Sequence, residues 1–473
     1  MQSKSQSRRS FLKKTSMGLS GIIAASAFPA IVPASVLGKN APSNRINIGQ
    51  IGFGRIARSH DLPEILKNDI AHVMAVADVD RKRLEWGKEW IEAQYTRKTG
   101  KSNYVDVKMY DDYHDLIANK EIDAVIISTP DHWHAQPAME AALAGKHIYL
   151  QKPTSLTVKE GRQMSDAVRK SGVVFQLGSQ QRSMHPWPQF KRTCELVRNG
   201  RIGQLKKVYV GLPGDPAGGN TEPMQVPDNL NYDFWLGSTP EVYYTLDRVH
   251  SQTNLDDRPG WLRCEQFGAG MITGWGSHHI DIAHWGMGTE LTGPIELEGW
   301  AQFPTSGLWN VHGDFKVTAK YANGVIMEIG GDNPNGVKFE GTEGWIFVSR
   351  GNVGVTASDP TAAAKSTEQN QAFNASDPKI LGSVIGANEV RLYESPEQHR
   401  NWLESIRDKK PTISPVEVAH RSCTACLIAH TAMKLQRKLR WDPEKEEFVN
   451  DAEANATLSR PQRGKYGTEK VRV

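Results

Sequence analysis

Cysteines are scarce in this 473-residue chain, which has four. So small a number excludes a scaffold built on disulfide bonds. Cys423 and Cys426 stand at the CxxC spacing of redox and zinc motifs, and no second such pair exists to complete a zinc site. They lie in a segment with helical periodicity, where residues three apart share one apolar face. We therefore predict that both are small, buried core residues.

Long apolar runs and basic clusters are also missing after the first 38 residues. No stretch there approaches the ~20 apolar residues of a membrane helix, so no stable membrane span is expected. The net charge is only +4, part of it contributed by Arg8, Arg9, Lys13 and Lys14, and no basic block is interleaved with aromatics. We expect no nucleic-acid partner. The length is sufficient for two domains.

The segment from Ser5 to Ser35 has the pattern of a twin-arginine export signal. Paired arginines and Phe-Leu-Lys precede a weakly apolar run that carries no charge. Pro29, Pro33 and many small residues make it a poor spanning helix. We predict that residues 1–38 are a signal and spacer and that the protein is periplasmic. The twin-arginine route exports folded proteins, so a cofactor would be loaded before export.

A glycine-rich turn follows the first predicted strand. Residues 45–51 alternate and then run apolar, as a buried parallel strand does, and Gly52-Phe53-Gly54-Arg55-Ile56-Ala57 opens a helix. In this G-x-G-x-x-G/A pattern the first glycine permits the turn and the second lets the backbone approach a pyrophosphate. The helix N-terminus would hold the phosphates.

The second predicted strand ends at Asp78, 26 residues after Gly52. An acid at that place can accept hydrogen bonds from both ribose hydroxyls and repels a 2′-phosphate, so NAD is favoured as the cofactor. Arg81 and Arg83 follow closely and keep NADP open as an alternative. A Rossmann-like fold that binds no nucleotide is a further alternative.

Alternating strands and helices predict an α/β fold that begins with an N-terminal Rossmann domain, a doubly wound parallel sheet over residues 44–180. Residues 181–473 predict a C-terminal α+β domain with a large, mostly antiparallel open sheet. One face of that sheet could cover the crevice at the strand ends, and the other could support a homo-oligomer. Five residues just past the strand ends should converge in the crevice: Asp78, Thr129, His134, Lys152 and Gln180.

Residues 128–153, STPDHWHAQPAMEAALAGKHIYLQKP, resemble the glucose–fructose oxidoreductase/inositol dehydrogenase (Gfo/Idh/MocA) family. Later segments are similar to the C-terminal domain of that family: PDNLNYDFWLGSTP, GAGMITGWGSHHIDIAHWGMG, VKFEGTEGWIFVSRG and HRNWLESIRDKKPTISPVEVAHRS. The resemblance implies that Lys152 reaches the nicotinamide and that His278 is an active-site residue. The predicted cofactor contacts are Gly52, Phe53, Gly54, Arg55, Ile56, Asp78, Ser128, Thr129, Pro130, His134, Gln151 and Lys152.

Two positions depart from the family pattern. Gln151 stands where the family has the Glu of Glu-Lys-Pro, and Gly274 stands where it has an Asp four residues before the histidine. One negative charge beside Lys152 is therefore missing, and so is the usual Asp partner. His279, Asp281 and His284 are nearby candidates to compensate.

The predicted chemistry is oxidation of a secondary alcohol, in which the hydroxyl proton leaves as the C–H bond breaks. Burial and the positive charge of a nicotinamide ring favour the neutral form of a lysine, which makes Lys152 a usable base. His278 could share a proton relay with it or orient a substrate hydroxyl. His278, Asp281 and His284 include ligand types for a metal, but we predict no metal site.

Sugar rings present apolar C–H faces that stack on indoles, while their hydroxyls bind Arg, Asp and His side chains. On this basis a sugar or glycoside is the expected small-molecule partner. The predicted substrate contacts are Trp133, Gln180, Arg182, Trp261, His279 and Asp281.

Three functions are compatible with the sequence. The first is an exported NAD-dependent oxidoreductase that oxidises a ring hydroxyl, C3 being the favoured position, and keeps its cofactor tightly bound. The second is an NAD-dependent glycosidase that works by oxidation, elimination, hydration and re-reduction, resembling glycoside hydrolase family 109. The third is a sugar-binding protein without catalysis, which the loss of Asp at position 274 mildly favours.

Overall fold

The computed structural model describes residues 45–100, 103–351 and 372–472. The predicted export segment over residues 1–38 lies outside these ranges, so it stays a prediction. Within them, no helix combines the length and the apolar character needed to cross a membrane. Residues from Ile46 onward form one compact unit, and the predicted domain boundary at residue 180 is not tested by it.

The first half of the described chain forms a six-stranded parallel sheet in the order β3-β2-β1-β4-β5-β6. This order confirms the predicted Rossmann sheet. Strands β2 and β3 are added on one side of β1 and strands β4 to β6 on the other, so the strand order reverses beside β1. The strands are β1 (Ile46–Ile51), β2 (Ala71–Ala77), β3 (Lys108–Tyr110), β4 (Ala124–Ile127), β5 (His147–Leu150) and β6 (Phe175–Leu177). The helices are α1 (Leu62–Leu66), α2 (Arg81–Thr99), α3 (Tyr113–Ala118), α4 (Ala135–Leu143) and α5 (Val158–Ser171).

Strand β4 shows why this sheet is buried on both faces. Its four residues are all buried, and they alternate between the two apolar cores: Ala124 and Ile126 belong to one core, and Val125 and Ile127 to the other. Successive side chains of a strand point to opposite faces, so a continuous apolar run is what a sheet covered by helices on both sides requires.

The second half forms a nine-stranded sheet in the order β13-β12-β11-β7-β10-β9-β8-β14-β15. Its pairs are antiparallel except for β7 with β10, which confirms the predicted mostly antiparallel sheet. The strands are β7 (Leu205–Gly211), β8 (Glu296–Ala301), β9 (Phe315–Lys320), β10 (Ile326–Gly330), β11 (Gly336–Gly341), β12 (Trp345–Val348), β13 (Phe373–Ala375), β14 (Leu439–Asp442) and β15 (Glu447–Phe448). The helices are α6 (Gln189–Arg198), α7 (Tyr232–Leu236), α8 (Met271–Gly274), α9 (Gly276–Met287), α10 (Pro378–Gly382), α11 (Gln398–Asp408), α12 (Val416–Leu435) and α13 (Ala452–Ala456).

Helix α12 joins the two halves, because it packs against α5 on the parallel-sheet side and against α9 and β8 on the other. Most of its residues are buried, which explains its weakly amphipathic sequence. Cys423 and Cys426 lie in it as buried, unbridged thiols. The prediction that they are core residues is therefore confirmed.

A buried ion pair fixes α9 to the end of the parallel sheet. The Arg182 guanidinium donates to both carboxylate oxygens of Asp281, at 2.6 and 2.8 Å, and its third nitrogen donates to Glu290 at 2.8 Å. Ser179 and Ser422 also donate to the Asp281 carboxylate. Burial alone would raise the pKa of Asp281, but the Arg182 charge and these hydrogen bonds lower it. Arg182 and Asp281 thus form a buried ion pair, and their predicted role as substrate contacts stays a prediction.

Replacing Asp281 with Asn should destabilise the fold and leave substrate affinity unchanged. The substitution removes the bidentate carboxylate of the buried Arg182 and keeps Glu290, so we expect a loss of about 3 kcal/mol, the lower end for a broken buried pair. Chemical denaturation measures the loss, with the exposed Asp115→Asn on α3 as the matched control. A variant of unchanged stability with a raised KM would instead return Asp281 to the substrate site.

Candidate active site

A cleft lies at the carboxyl ends of β1, β2, β4 and β5. This is the edge at which doubly wound sheets bind their ligands. Its opposite wall belongs to residues 213–267, a long connection between β7 and α8 that we call the strap. The strap residues lining the cleft are Phe234, Trp235, His250, Leu255, Asp257, Pro259, Trp261 and Leu262.

The glycine turn at the end of β1 has the shape that a dinucleotide requires. Gly52 has φ +83°, and a Cβ there would lie 2.8 Å from the Ser128 carbonyl oxygen. A Cβ at Gly54 would meet nothing closer than 3.9 Å, so this backbone is open to a close ligand. Arg55 and Ile56 line the cleft, whereas the Phe53 ring is buried in the core and only its backbone belongs to the turn. The residues present therefore fit a pyrophosphate on the following helix.

Asp78 lines the cleft at the end of β2, as predicted for the residue that binds the ribose. Its carboxylate accepts from the Phe53 backbone N–H at 2.8 Å, which ties the acid to the glycine turn. Burial and the neighbouring Asp80 carboxylate raise the pKa of Asp78 to about 6. Arg83 also lines the cleft, with its guanidinium 3.4 Å from the Phe53 carbonyl oxygen. The positive charge of Arg83 interacts with the carboxylates of Asp78 and Asp80.

Ser128, Thr129 and Pro130 carry the chain from β4 along the cleft wall. The His134 ring contacts the Thr129 carbonyl oxygen, at 2.9 Å, and the carbonyl oxygen of Pro153. Burial lowers the pKa of His134 to about 4, so the ring is neutral near pH 7. His134 thus connects the ends of β4 and β5 and positions the backbone beside Lys152.

Lys152 is held where β5 meets the C-terminal half of the chain. Its Nζ donates to the backbone carbonyl oxygen of Gly274 at 2.9 Å, at the end of α8. The family pattern has an Asp at this position. Here the lysine therefore binds the main chain of residue 274 in place of a carboxylate, and its ammonium form gains an acceptor without a negative charge.

Gln151 is placed by a carboxylate that the sequence analysis did not identify. Its amide donates to Asp61 at 2.7 Å, and Ser128 donates to the other Asp61 oxygen at 2.8 Å. Asp61 ends a π-helical turn, Ala57–Asp61, which is a common feature of functional sites. A Glu at position 151 would face this acid, so the amide is the side chain that fits here. The sequence signal that could have identified Asp61 is an acid inside the helix that follows the glycine turn.

His278 lies on α9, is fully buried and does not line the cleft. Neither ring nitrogen has a hydrogen-bond partner among the described residues. Burial and the positive charges of Arg350 and Lys152 lower its pKa well below the usual range, so the ring is neutral. His279 points elsewhere: it contacts Asn335 at 2.7 Å and stacks on Trp275.

The predicted substrate contacts are thus divided by the structure. Trp261 and Trp133 line the cleft, although the Trp133 ring also packs in an aromatic cluster with Tyr113, Phe234 and Tyr466. Gln180 and His279 are buried and do not line it, nor do Arg182 and Asp281. Of the residues expected to converge, Asp78, Thr129, His134 and Lys152 do so, and Gln180 does not.

The residues considered for a metal do not gather as ligands. His284 contacts the Tyr321 hydroxyl at 2.7 Å, while Asp281 pairs with Arg182. Across the described ranges, no three His, Cys, Asp or Glu side chains are arranged to hold a metal ion.

The strap is joined to the turn between β2 and α2 by hydrogen bonds centred on Asp80. This buried carboxylate accepts from Asn229 at 2.6 Å, His250 at 2.9 Å and Gln252 at 3.0 Å. Burial alone would raise the pKa of Asp80, but these three bonds hold it far below its usual value. Backbone bonds add to them, from Arg81 N–H to the Asn229 carbonyl at 2.8 Å and from Asn231 N–H to the Val79 carbonyl at 3.0 Å. The strap is therefore fixed as a wall of the cleft beside the turn between β2 and α2.

Two protein-family models match most of this chain. The model for the NAD-binding Rossmann fold of the GFO_IDH_MocA oxidoreductase family matches residues 46–179. The model for the C-terminal alpha/beta domain of that family matches residues 216–376 and 378–468. The predictions of the family and of an NAD-binding Rossmann fold are confirmed.

Similar curated proteins include dehydrogenases and glycosidases. The chain is 32% identical to myo-inositol 2-dehydrogenase of Thermotoga maritima over 160 residues, which are 34% of this chain and 42% of that protein. It is 31% identical to a glycosyl hydrolase family 109 protein of Shewanella baltica over 175 residues, which are 35% and 37% of the two chains. The chain thus spans less than half the length of the curated relatives it matches.

Solved structures share the fold over most of the chain. The WlbA dehydrogenase of Bordetella pertussis, in complex with NADH and UDP-GlcNAcA, aligns with TM-score 0.57 and 16% identity over 84% of this chain and 98% of that one. Levoglucosan dehydrogenase, in complex with NADH and levoglucosan, aligns with TM-score 0.53 and 17% identity over 84% and 99%. At these identities the likeness establishes the fold alone.

Replacing Gln151 with Glu should destabilise the protein in a pH-dependent way. The new carboxylate would face Asp61, and like charges in a buried site raise the pKa of one acid in the folded state. Stability is then lost as the pH rises, by about 3 kcal/mol if the pKa rises by roughly two units. Denaturation at pH 5 and pH 8 should show the larger loss at pH 8.

The matched control for this variant is the double substitution Asp61→Asn with Gln151→Glu, which exchanges the acid and the amide. It should recover most of the lost stability at pH 8. Equal stability of Gln151→Glu and the unmodified protein at both pH values would contradict the placement of Asp61 against residue 151.

Proposed function

Because the chain belongs to the Gfo/Idh/MocA oxidoreductase family, we propose that it oxidises a ring hydroxyl of a sugar or glycoside with NAD. The favoured position is C3, since it serves both a simple dehydrogenase and the redox-neutral glycosidase described below. The observation that carries the proposal is the position of Lys152. Its amine lies in the wall of the cleft that begins at the dinucleotide turn, fixed to the Gly274 carbonyl.

The residues divide the chemistry between them. Bound at the glycine turn and Asp78, NAD supplies a hydride acceptor for the carbon that carries the hydroxyl. Lys152, in its neutral form, receives the proton of that hydroxyl at Nζ, so that the alcohol becomes a ketone. The Gly274 carbonyl holds the resulting ammonium in place, and His134 keeps the ends of β4 and β5 together.

The apolar walls of the cleft suit a sugar ring. Trp261 is partly exposed to the cleft, and Trp235 and Phe234 stand beside it on the strap. Indole faces stack on the C–H faces of sugars, and the polar strand ends opposite can bind hydroxyls. The names of the relatives, a myo-inositol dehydrogenase and a levoglucosan dehydrogenase, agree with a polyhydroxylated ring as the substrate class.

A tightly held cofactor is part of the proposal. The strap forms one wall of the cleft and is bonded to Asp80 in the turn between β2 and α2, so we expect these hydrogen bonds to slow the release of a bound dinucleotide. Such retention suits a protein that leaves the cytoplasm with its cofactor.

The export segment and the periplasmic location are proposed on the sequence pattern of Arg8 and Arg9, and fractionation of cells that express the full chain checks them.

A redox-neutral glycosidase is the second candidate. After oxidation at C3, the ketone acidifies the C2 proton, the C1 substituent is eliminated, water adds and the ketone is reduced again. The cofactor is regenerated within each cycle, which a retained dinucleotide favours. The similarity to a glycosyl hydrolase family 109 protein supports this alternative. A binding protein without catalysis is the third candidate, and the position of Lys152 in the cleft speaks against it.

The outer face of the nine-stranded sheet is the surface proposed for a homo-oligomer. On β8, Leu297 and Ala301 point into the core, whereas Trp300 is 46% exposed on the opposite face. An exposed indole on an open sheet face is suited to an interface. Analytical ultracentrifugation measures the oligomeric state.

The unmodified protein, purified without added cofactor, should release close to one NAD or NADH per chain on denaturation. Asn229→Ala with Gln252→Ala should speed dissociation of the dinucleotide about tenfold, because it removes two strap hydrogen bonds to Asp80 without touching the cleft. Gln225→Ala, an exposed strap residue, is the control. An equal dissociation rate in all three proteins would mean that the strap does not retain the cofactor.

Lys152→Ala should lower turnover on a glycoside panel by at least about a thousandfold and leave the dinucleotide bound. The exposed Lys170→Ala on α5 is the matched control. Product analysis separates the candidates, because a keto sugar identifies the dehydrogenase and a released aglycone identifies the glycosidase. Full turnover by Lys152→Ala would refute the proposed base.

A further inference from the structure

The last described residues, 459–472, form a tail that the predicted chemistry leaves without a role. The tail begins beside α5, where the Arg460 guanidinium donates to the Glu160 carboxylate at 2.9 Å. The same guanidinium donates to the Ser238 hydroxyl of the strap at 2.9 Å, and the Arg463 backbone N–H donates to the Ser238 carbonyl oxygen at 3.0 Å. The tail thus joins the strap to the Rossmann half of the chain, at a place other than the turn between β2 and α2.

Arg463 holds the main chain of α7 and of the turn that follows it. Its guanidinium donates to the Asp233 carbonyl oxygen at 2.9 Å, to the Asp233 carboxylate at 2.7 Å and to the Thr239 carbonyl oxygen at 2.8 Å. The Asp233 carboxylate is 61% exposed, so its ion pair with Arg463 contributes little. The two carbonyl bonds matter more, because they fix both ends of a segment that contains Phe234 and Trp235, which line the cleft.

Tyr466 supports that wall of the cleft from behind. Its ring stacks on Phe234 with the centroids 5.6 Å apart and an interplanar angle of 18°, and it meets the Trp133 indole edge to face at 5.6 Å. Trp133 and Phe234 line the cleft, whereas Tyr466 is 5% exposed and does not. The Trp133 Nε1–H donates to the Phe234 carbonyl oxygen at 3.1 Å. An aromatic ring from the turn after β4, one from the strap and one from the tail therefore form a single packed unit.

The tail is also anchored on the Rossmann half independently of the strap. The Gly467 N–H donates to the Gln136 side-chain oxygen on α4 at 2.7 Å, and Glu469 pairs with Lys159 on α5 at 2.7 Å. Tyr466 stands directly before these contacts, so the Rossmann half fixes the position of its ring. Helix α7 of the strap is thus packed on a ring that the other side of the cleft holds in place.

We propose that Tyr466 and Arg463 are positioning residues of the active site, which hold the aromatic wall of Trp133 and Phe234 where the sugar ring packs. This inference rests on the proposed function and adds the tail to it. Tyr466 acts through the two rings that it contacts, and Arg463 acts through the main chain of α7.

The proposed role has a kinetic signature. A sugar contacts an aromatic wall through its apolar C–H faces and not through the reacting atoms. A wall that is no longer held in position weakens binding of the substrate in the ground state and in the transition state alike, which raises KM and leaves kcat little changed. A tail needed only for stability would change neither constant in the folded protein.

The first test measures the wall without substrate or turnover. Hydrogen–deuterium exchange with peptide mass spectrometry, on the protein as purified, follows the amide protons of residues 231–239. Those of Trp235, Gly237 and Thr239 are hydrogen-bonded within this segment. Tyr466→Ala should speed their exchange at least about tenfold, because it removes the ring on which α7 packs. Tyr466→Phe keeps the ring and should exchange as the unmodified protein does.

Arg463→Ala is the second variant, and it leaves the aromatic unit intact. It removes the hydrogen bonds to the strap carbonyls from a partly exposed side chain, so it should fold and should also speed the exchange of residues 231–239. The exposed Lys470→Ala in the same tail is the control. Exchange equal to that of the control in both Arg463→Ala and Tyr466→Ala would refute the positioning role.

The second test separates KM from kcat on the best substrate of the glycoside panel. Tyr466→Ala should raise KM about tenfold, as expected for the loss of one aromatic contact, and should lower kcat by no more than about threefold. Tyr466→Phe should restore KM. A large fall in kcat with an unchanged KM, or two unchanged constants, would overturn the assignment of this wall to the sugar. Thermal unfolding verifies that each variant is folded.

The two tests also distinguish failure of this inference from failure of the proposed function. A protein that oxidises none of the sugars tested would fail the proposed function. The exchange of residues 231–239 would still decide whether the tail positions the wall, since that measurement requires no substrate.

Discussion

The hydrogen bond from Lys152 to the Gly274 carbonyl is the contact on which the site depends. It joins the end of a parallel strand to the end of a short helix from the other half of the chain, 122 residues away. A lysine side chain has four flexible carbons and is positioned only when its ammonium finds fixed acceptors. The buried Arg182–Asp281 pair and helix α12 hold the two halves in register, so that this acceptor is in place.

The two positions that depart from the family pattern each have a polar contact in this chain. The Gln151 amide donates to the Asp61 carboxylate. At position 274 the main-chain carbonyl oxygen accepts from the Lys152 ammonium. Because a buried polar group without a partner is costly, each contact accounts for the residue that stands at its position.

Most of the fold and part of the site could be predicted from the sequence. Strand β4 and the glycine turn carry local patterns whose meaning does not depend on distant residues, and Lys152 and Asp78 follow from the rule that strand ends face the ligand. The pairing of Arg182 with Asp281 could not be predicted, because a charged residue in a polar sequence context looks the same whether its partner is a substrate or another side chain. Asp61 was missed for a related reason: its partners Ser128 and Gln151 follow other strands, and a single sequence does not show such pairings.

The strap gives the clearest physical link between structure and the proposed location of the protein. A dinucleotide bound in an open crevice exchanges with its surroundings, which is harmless only where free cofactor is abundant. If the protein is exported as proposed, each loss would be permanent, so the fold would have to retain the cofactor. Asp80 is suitably placed for this, because one buried carboxylate both caps the helix after β2 and accepts from three side chains of the strap. Opening the strap would break all of these hydrogen bonds at once. In the proposed function, cofactor retention and closure of the active site therefore depend on the same set of hydrogen bonds.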